Sequence, residues 1–259
     1  YAKTKKEAEA LMDFDRVIAR WPKAESAAAA WQRAAQIYAG RQDMVNMAKY
    51  YEGLIQNFPK ASPAALAEAH FLLGRAAFDQ GDFKSSISHM AEAKTLDPQK
   101  YGEQVNVLSV LSYHKLQDVN KLKEALETLQ KENPSAVARV PDVIPAWLGL
   151  QAYGMKDLET ADKYMTWATQ NDQLQNVKKV IWRNLAKVRL ALKKYDRALV
   201  ASNNFLKDED QPYRRADGML DKASILLGLG KYADARKTAE EALALGVEGP
   251  LMASLKIVL

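Results

Sequence analysis

A repeated pattern of small and apolar residues is the feature of this sequence that most constrains its fold. In the stretch that starts at Ala67, Leu73 and Gly74 take the seventh and eighth positions, and Gly81 and Phe83 take the fifteenth and seventeenth. The same frame fits five more times without internal gaps. The frames start at Ala28, Ala67, Glu103, Asp142, Lys179 and Ala216. Such periodicity indicates copies of one small unit that stack on their neighbours.

The eighth position is small in five of the six frames: it holds Ala35, Gly74, Val110, Gly149, Ala186 and Ala223. Two glycines inside one helix would each cost roughly 1 kcal/mol. We therefore predict that each frame is a pair of antiparallel helices. In the second frame, Gly74 marks their closest crossing and Gly81 lies in the turn, where a positive φ favours glycine. Asp82 is expected to cap the second helix.

This pattern resembles the tetratricopeptide repeat, a helix–turn–helix unit of 34 residues. The resemblance covers nearly the whole chain and implies an all-α fold, a right-handed superhelical solenoid of antiparallel helix pairs. Residues 3–21 are expected to form the second helix of an incomplete unit, and residues 250–259 the first helix of another. Because the chain starts at Tyr1 without a signal peptide, we expect it to be part of a longer protein.

Three prolines separate the third frame from the fourth: Pro134, Pro141 and Pro145. Pro141 and Pro145 are compatible only with the first turn of a helix, whose N–H groups have no intrahelical partner. We therefore predict an N-terminal group of repeats at 1–134, with a half-unit and three units. A C-terminal group at 135–259 would have three units and a terminal half-unit. One continuous solenoid with a long connection is the alternative.

The composition excludes several classes of function. Cysteine is absent, which rules out disulfides and thiolate metal sites, and the three histidines, His70, His89 and His114, are too far apart in the sequence to predict a ligand cluster. The sequence has no apolar run that could span a membrane, no phosphate-binding glycine loop and no nucleophile elbow. We therefore predict a protein that is not an enzyme and needs no cofactor.

In the tetratricopeptide family the inner, concave face is supplied mainly by the second, fifth, ninth and twelfth positions of each frame. The resemblance therefore implies a groove that suits a protein or peptide segment with apolar anchors and an acidic end. The candidate partner-binding residues are Phe71, Arg75, Phe78, Val107, Leu111, His114, Leu150, Tyr153, Arg183 and Lys187.

Less specific roles stay open for several of these residues. Phe71 and Phe78 could pack between repeats, and His114 could be a polar surface residue at a helix end. Arg183 and Lys187 could pair with Asp217 and Asp221 on the next first helix. The basic run from Lys178 to Arg197 could be a solvated face. Nucleic-acid binding is not expected, because a broader basic stripe with interleaved aromatic residues would be needed.

Two similar stretches, "WPKAES" and "FPKASP", precede the first and second frames. Together with the helices before them, residues 8–98 resemble repeat proteins of the bacterial envelope, namely the lipoproteins of outer-membrane protein assembly and the periplasmic partner of the Tol system. The resemblance implies a scaffold in cell-envelope assembly and a periplasmic location. Two alternatives remain: a regulatory array of a larger enzyme or signalling protein, and self-association through the apolar residues 250–259.

Overall fold

The computed structural model describes residues 2–170 and 175–259, which form helices joined by short connections. The first part contains α1 (Ala2–Arg20), α2 (Glu25–Gly40), α3 (Met44–Asn57), α4 (Pro63–Asp79), α5 (Phe83–Leu96), α6 (Pro98–Lys115), α7 (Val119–Glu132) and a short 3-10 helix, Pro134–Arg139. The second contains α8 (Val143–Gly154), α9 (Leu158–Thr169), α10 (Gln175–Ala191), α11 (Tyr195–Lys207), α12 (Pro212–Gly228), α13 (Tyr232–Leu243) and α14 (Gly249–Val258). The described residues include no β-strand, and the predicted all-α fold is confirmed.

Backbone contacts group the chain into two units, Tyr1–Val140 and Pro141–Leu259. We call them the N-terminal array and the C-terminal array. Each array consists of three helix pairs, in which one helix packs against the next along the chain. The N-terminal array begins with α1 packed on α2, and the C-terminal array ends with α14 packed on α12 and α13. Whether the arrays behave as separate domains stays a prediction.

Close helix crossings lie where the small residues predict them. A Cβ atom on Gly74 of α4 would lie 3.1 Å from the Cβ of His89 on α5. A Cβ on Gly149 of α8 would lie 2.9 Å from the backbone nitrogen of Met165 on α9. Since a larger residue would force these helices apart, the repeated small position is explained by packing within each pair.

The turn inside each helix pair has one residue with a left-handed backbone. Gly81 has a φ of +82° and Gly230 one of +72°, as expected for glycine. The other four pairs place a glutamine or lysine there, with φ between +56° and +64°: Gln42, Gln117, Lys156 and Lys193. In the first four pairs an aspartate follows and accepts a hydrogen bond from a backbone N–H of the second helix, as predicted for Asp82.

One departure from the apolar pattern is a buried polar network. Asn106 on α6 is buried and its side chain donates to the Glu132 carboxylate at 2.9 Å and to Asn133 at 2.7 Å. Lys94 Nζ donates to Asn106 at 2.8 Å and to Glu132 at 2.7 Å. Because every polar atom of the Asn106 amide has a partner, this residue is compatible with the core of the third helix pair.

Candidate partner-binding surfaces

A polar cluster connects the first helices of the N-terminal array. Gln32 and Gln36 on α2 donate to the Glu68 carboxylate on α4, at 2.7 Å and 2.9 Å. The hydroxyl of Tyr51 on α3 donates to the same carboxylate at 3.2 Å. Burial, followed by the negative charge of Glu68, raises the pKa of Tyr51. Three donors thus bind the Glu68 carboxylate, and these hydrogen bonds join α2 and α3 to α4.

The two predicted aromatic anchors of the N-terminal array make internal contacts. The ring of Phe71 on α4 stacks on Tyr101 of α6, with the centroids 4.6 Å apart. The rings of Phe78 and Phe83 pack edge to face across the turn of the same helix pair, with their centroids 5.4 Å apart. Phe71 therefore packs between repeats, the alternative role left open for it, whereas the contact of Phe78 with Phe83 lies within its own helix pair. Arg75, one turn after Phe71, is exposed.

The remaining predicted residues of the N-terminal array lie on α6. Val107 and Leu111 are half-buried, and so is His114, which lies one residue before the helix ends. Burial, followed by the charge of Lys115, lowers the pKa of His114. Both effects disfavour the protonated form of the His114 imidazole.

The N-terminal array also has a cavity that the sequence did not predict. We call it the N-terminal pocket; its volume is about 520 Å³. Small and apolar side chains of α2, α3 and the start of α4 form its walls, with Lys23 and Lys60 beside them. The lining residues used below are Ala28, Ala29, Gln32, Leu54 and Ala65. The duplicated loops before α2 and α4 were the sequence signal that could have indicated it.

In the C-terminal array, two predicted cations pair with acidic residues of the next first helix. Arg183 on α10 forms an ion pair with Asp217 on α12. Lys187 Nζ lies 3.6 Å from the carboxylate of Asp221, also on α12. Burial raises the pKa of Asp221, although Lys187 and Arg183 oppose that shift. The pairing alternative stated for these cations is therefore observed, and binding of a partner by them stays a prediction.

Three predicted site residues, Tyr153, Arg183 and Lys187, line one cavity of about 430 Å³, which we call the C-terminal pocket. The other lining residues are Lys179, Val180, Asn184, Phe205, Glu209 and Arg214. The lining therefore holds four cations and one carboxylate. Leu150, one turn before Tyr153, packs against the core of the array and is not among the lining residues.

Charges and aromatic rings are close together in the C-terminal pocket. The guanidinium of Arg183 lies 5.8 Å from the ring centroid of Phe205. Lys179 Nζ lies 3.9 Å from Glu209, which is 3% exposed. Arg214 is exposed and has no ion pair with any residue that the structure describes. Sequence reasoning missed Phe205 and Arg214 because they lie outside the four positions assigned to the inner face.

Part of the basic run from Lys178 to Arg197 is not a solvated face. Arg189 on α10 is buried and donates through Nε to Asp162 on α9 at 2.7 Å, and through a terminal nitrogen to Thr166 at 2.7 Å. Lys194 donates to the other oxygen of Asp162 at 3.0 Å. Burial alone would raise the pKa of Asp162, but these hydrogen bonds hold it below its ordinary value. The network joins α9 to α10 and to the turn before α11, and it is structural.

Two of the three histidines lie close together in space. His70 on α4 and His89 on α5 are distant in the sequence, but their Nδ1 atoms lie 3.0 Å apart. Helix pairing brings them together, which spacing along the chain does not reveal. Within residues 2–170 and 175–259 there is no group of three or more side chains placed to hold a metal ion.

Residues 67–100 and 220–257 each match a family model described as tetratricopeptide repeat. The comparison with curated proteins gave no match. Repeats of this family are generally protein–protein interaction modules, typically non-catalytic, that bind protein or peptide partners. None of the helices in the described part of the chain has the length and hydropathy that a membrane crossing requires.

Three solved structures are similar to this chain at low sequence identity. A chain of the APC/C hetero-tetramer Cut9–Hcn1 is 17% identical over 99% of this chain and 46% of its own length, with a TM-score of 0.41. A chain of Naa15/Naa10 bound to HypK-THB is 15% identical over 99% of this chain and 37% of its own, with a TM-score of 0.52. A chain of the TPR2AB-domain:pHSP90 complex of yeast Sti1 is 16% identical over 100% of this chain and 91% of its own length, with a TM-score of 0.46. This chain thus spans less than half of the length of the Cut9–Hcn1 and Naa15/Naa10 chains.

Proposed function

We propose that this chain is a non-catalytic scaffold that captures a segment of a partner protein on the first-helix surfaces of its repeats. The observation that carries the proposal is the C-terminal pocket, which combines apolar and aromatic lining residues with an excess of cations. Tyr153, Val180 and Phe205 are the apolar and aromatic residues of the lining. A partner segment with an apolar side chain next to a carboxylate would satisfy both features.

The cations of the C-terminal pocket differ in how readily they could meet a partner. Arg183 and Lys187 already have acidic neighbours on α12, so a partner carboxylate must compete with those pairs. Lys179 lies 3.8 Å from Asp210, which is almost fully exposed, and that contact is weak. Arg214 requires no pair to be broken. We therefore expect Arg214 to contribute most to the recognition of an acidic group.

The first test uses a fluorescein-labelled peptide in which one phenylalanine is followed by two aspartates, and its analogue with two asparagines. We expect the acidic peptide to bind more tightly, and Arg214→Glu to weaken it by about tenfold in a fluorescence anisotropy titration at low salt. Lys207→Glu, a reversal at an exposed cation of the same array outside the pocket, is the matched control. Equal affinity for the two peptides, or equal effects of the two substitutions, would contradict the proposal.

A second test separates binding from internal pairing. Arg183→Glu/Lys187→Glu reverses the pocket charge and also breaks the pairs with α12. Arg183→Glu/Asp217→Arg restores a pair at one site and leaves the charge of the lining reversed there. If Arg183 acts on a partner, both variants bind the acidic peptide weakly while their helicity by circular dichroism is unchanged. Recovery of binding in the swapped variant would show that Arg183 has only a structural role.

In the N-terminal array, we propose a weaker contribution from Phe71, Arg75, Phe78, Val107, Leu111 and His114. Because both phenylalanines pack internally, Arg75 is the member of this set most accessible to a partner. Phe71→Ala/Phe78→Ala should reduce partner binding through loss of local order in α4. The measurement is the same titration, with thermal unfolding recorded in parallel.

The setting we propose is the bacterial cell envelope, as a scaffold in assembly at a periplasmic location. The support is the resemblance of residues 8–98 to envelope repeat proteins. Fractionation of cells that express the full-length protein would test it: recovery in the cytosolic fraction would favour the alternative, a regulatory array of a larger enzyme or signalling protein.

Self-association is a second candidate function, because α14 has an exposed apolar residue. Ile257 is 85% exposed, although Leu251 and Leu255 of the same helix are buried. Light scattering with and without residues 250–259 tests it: an unchanged mass at high concentration would exclude α14 as a self-association surface.

A further inference from the structure

His70 and His89 face each other across the second helix pair of the N-terminal array. Their Nδ1 atoms are 3.0 Å apart, and their ring centroids are 5.3 Å apart. Both side chains are half-buried. The pair lies beside the closest approach of α4 and α5, because a Cβ atom on Gly74 would lie 3.1 Å from the Cβ of His89. Repulsion between the two imidazoles would therefore act where α4 and α5 are closely packed.

The protonation states of the pair decide whether this contact is attractive. In a neutral pair one Nδ1 donates and the other accepts. One extra proton can be held on an Nε2 atom without loss of that hydrogen bond. A second extra proton places N–H against N–H and sets two positive rings in contact.

Three carboxylates act on the pair. Glu52 lies on α3, Asp82 immediately precedes α5, and Glu92 lies on α5. These are the charged groups of the described residues that act on the two imidazoles, and each favours a protonated ring. Burial outweighs them, and the pKa of both histidines is lowered. The folded pair therefore resists protonation, and it resists the second proton most because that proton also breaks the hydrogen bond between the rings.

We propose that the His70–His89 pair makes the packing of α4 on α5 an acid-sensitive joint, which opens when both imidazoles are protonated. Opening would alter the surface of α4 that carries Phe71 and Arg75, while the C-terminal array, which has no histidine in its sequence, would keep its structure. Acid would then weaken one array selectively.

The direction of the pH effect follows from the lowered pKa values. Unfolded imidazoles take up protons near their ordinary pKa of about 6.5, and the folded pair takes them up only at lower pH. The stabilising contribution of the pair is therefore complete above about pH 6.5 and is lost as the pH falls below it. Where the unfolded chain binds one more proton than the folded pair, the folding equilibrium constant falls about tenfold for each unit by which the pH is lowered.

Hydrogen exchange measured by mass spectrometry at pH 7.5 and pH 5.5, corrected for intrinsic exchange rates, tests the joint. We expect protection in residues 63–96 to fall by about tenfold at the lower pH, with little change in residues 195–243. The His70→Asn/His89→Asn variant places an amide near each Nδ1 position and should lose this dependence, whereas His114→Asn should keep it. Equal changes in the two regions, or persistence of the effect in the double variant, would overturn the proposal.

A measurement on the unaltered protein covers the case in which the double variant does not fold. The chain has three histidines, so their ring nitrogens can be followed individually by NMR. We expect two imidazoles to titrate in coupled steps below pH 6.5. Two independent titrations near pH 6.5 would overturn the proposal. Neither experiment uses a partner, so failure here leaves the proposed capture of a partner segment unaffected.

Discussion

The N-terminal and C-terminal pockets occupy equivalent places in the repeat frame but have different chemistry. At the first, second and fifth positions, Ala28, Ala29 and Gln32 correspond to Lys179, Val180 and Arg183. At the twenty-seventh position Leu54 corresponds to Phe205, and two residues before the next frame Ala65 corresponds to Arg214. The comparison teaches that the repeat backbone creates the cavity, and that three of these five differences, Lys179, Arg183 and Arg214, make the C-terminal pocket more cationic.

The largest expected effect comes from the buried residue at the twenty-seventh position. Phe205 is 3% exposed and Leu54 is fully buried. We expect Phe205→Ala to reduce the free energy of unfolding by about 4 kcal/mol and Leu54→Ala by about 3 kcal/mol, measured by urea denaturation. If either truncation costs less than about 1 kcal/mol, that side chain is not a structural wall of its pocket, and the equivalence of the two sites is lost.

The next largest effect is the loss of stability when the glycine at a close helix crossing is replaced, which we compare between the two arrays. Gly149→Ala should destabilise the C-terminal array by about 2 to 3 kcal/mol, because its Cβ would meet backbone atoms of Met165 that cannot rotate away. Gly74→Ala should cost about 1 kcal/mol, because its Cβ would meet the side chains of His89 and Met90. Urea denaturation of both variants gives the order; the reverse order would show that side-chain packing limits the crossing more than the backbone does.

A transplant tests the comparison by function. Ala28→Lys/Gln32→Arg/Ala65→Arg gives the N-terminal pocket three of the four cations of its C-terminal equivalent, those of Lys179, Arg183 and Arg214. We add these substitutions to a chain that carries Arg214→Glu. We expect the resulting chain to bind the acidic phenylalanine peptide about tenfold more tightly than Arg214→Glu alone, or by about 1.4 kcal/mol. The same substitutions should give nothing with the asparagine analogue. Without restored binding, the two cavities differ in more than their side chains.

The smallest effect concerns the turns. Gln117→Gly in the N-terminal array and Lys156→Gly in the C-terminal array should each stabilise the fold by about 0.5 to 1 kcal/mol, because both residues have positive φ. Thermal unfolding followed by circular dichroism measures this. Gly102→Ala, at a helical glycine with open space around its Cβ position, is a control for helix propensity and should also stabilise slightly. A loss of stability in both turn variants would mean that the longer side chains make compensating contacts.

Local features of the fold followed from the sequence because they depend on residues close together in the chain. The small residues at the eighth position predicted the crossings at Gly74 and Gly149. Gly81 and Asp82 predicted a turn and a cap. The ion pairs of Arg183 and Lys187 with α12 were foreseen as an alternative, since the repeat frame places the next first helix alongside.

Three features that depend on contacts between helices were not predicted. The frame did not show that Arg189 is buried against Asp162, that His70 meets His89, or that Phe205 lines a cavity. Each of these contacts joins residues of two helices, and its distance depends on how closely those helices pack and on the rotamers their neighbours allow.

The sequence by itself determined the repeat, the helix pairs and their turns, because steric fit at the crossing and backbone conformation at the turn are fixed by a few residues in a regular frame. Only the tertiary structure decided which charges are neutralised within the chain and which line an open cavity. The physical reason is that the electrostatics of a side chain depend on its burial and on the groups within a few ångströms, and those groups come from different helices.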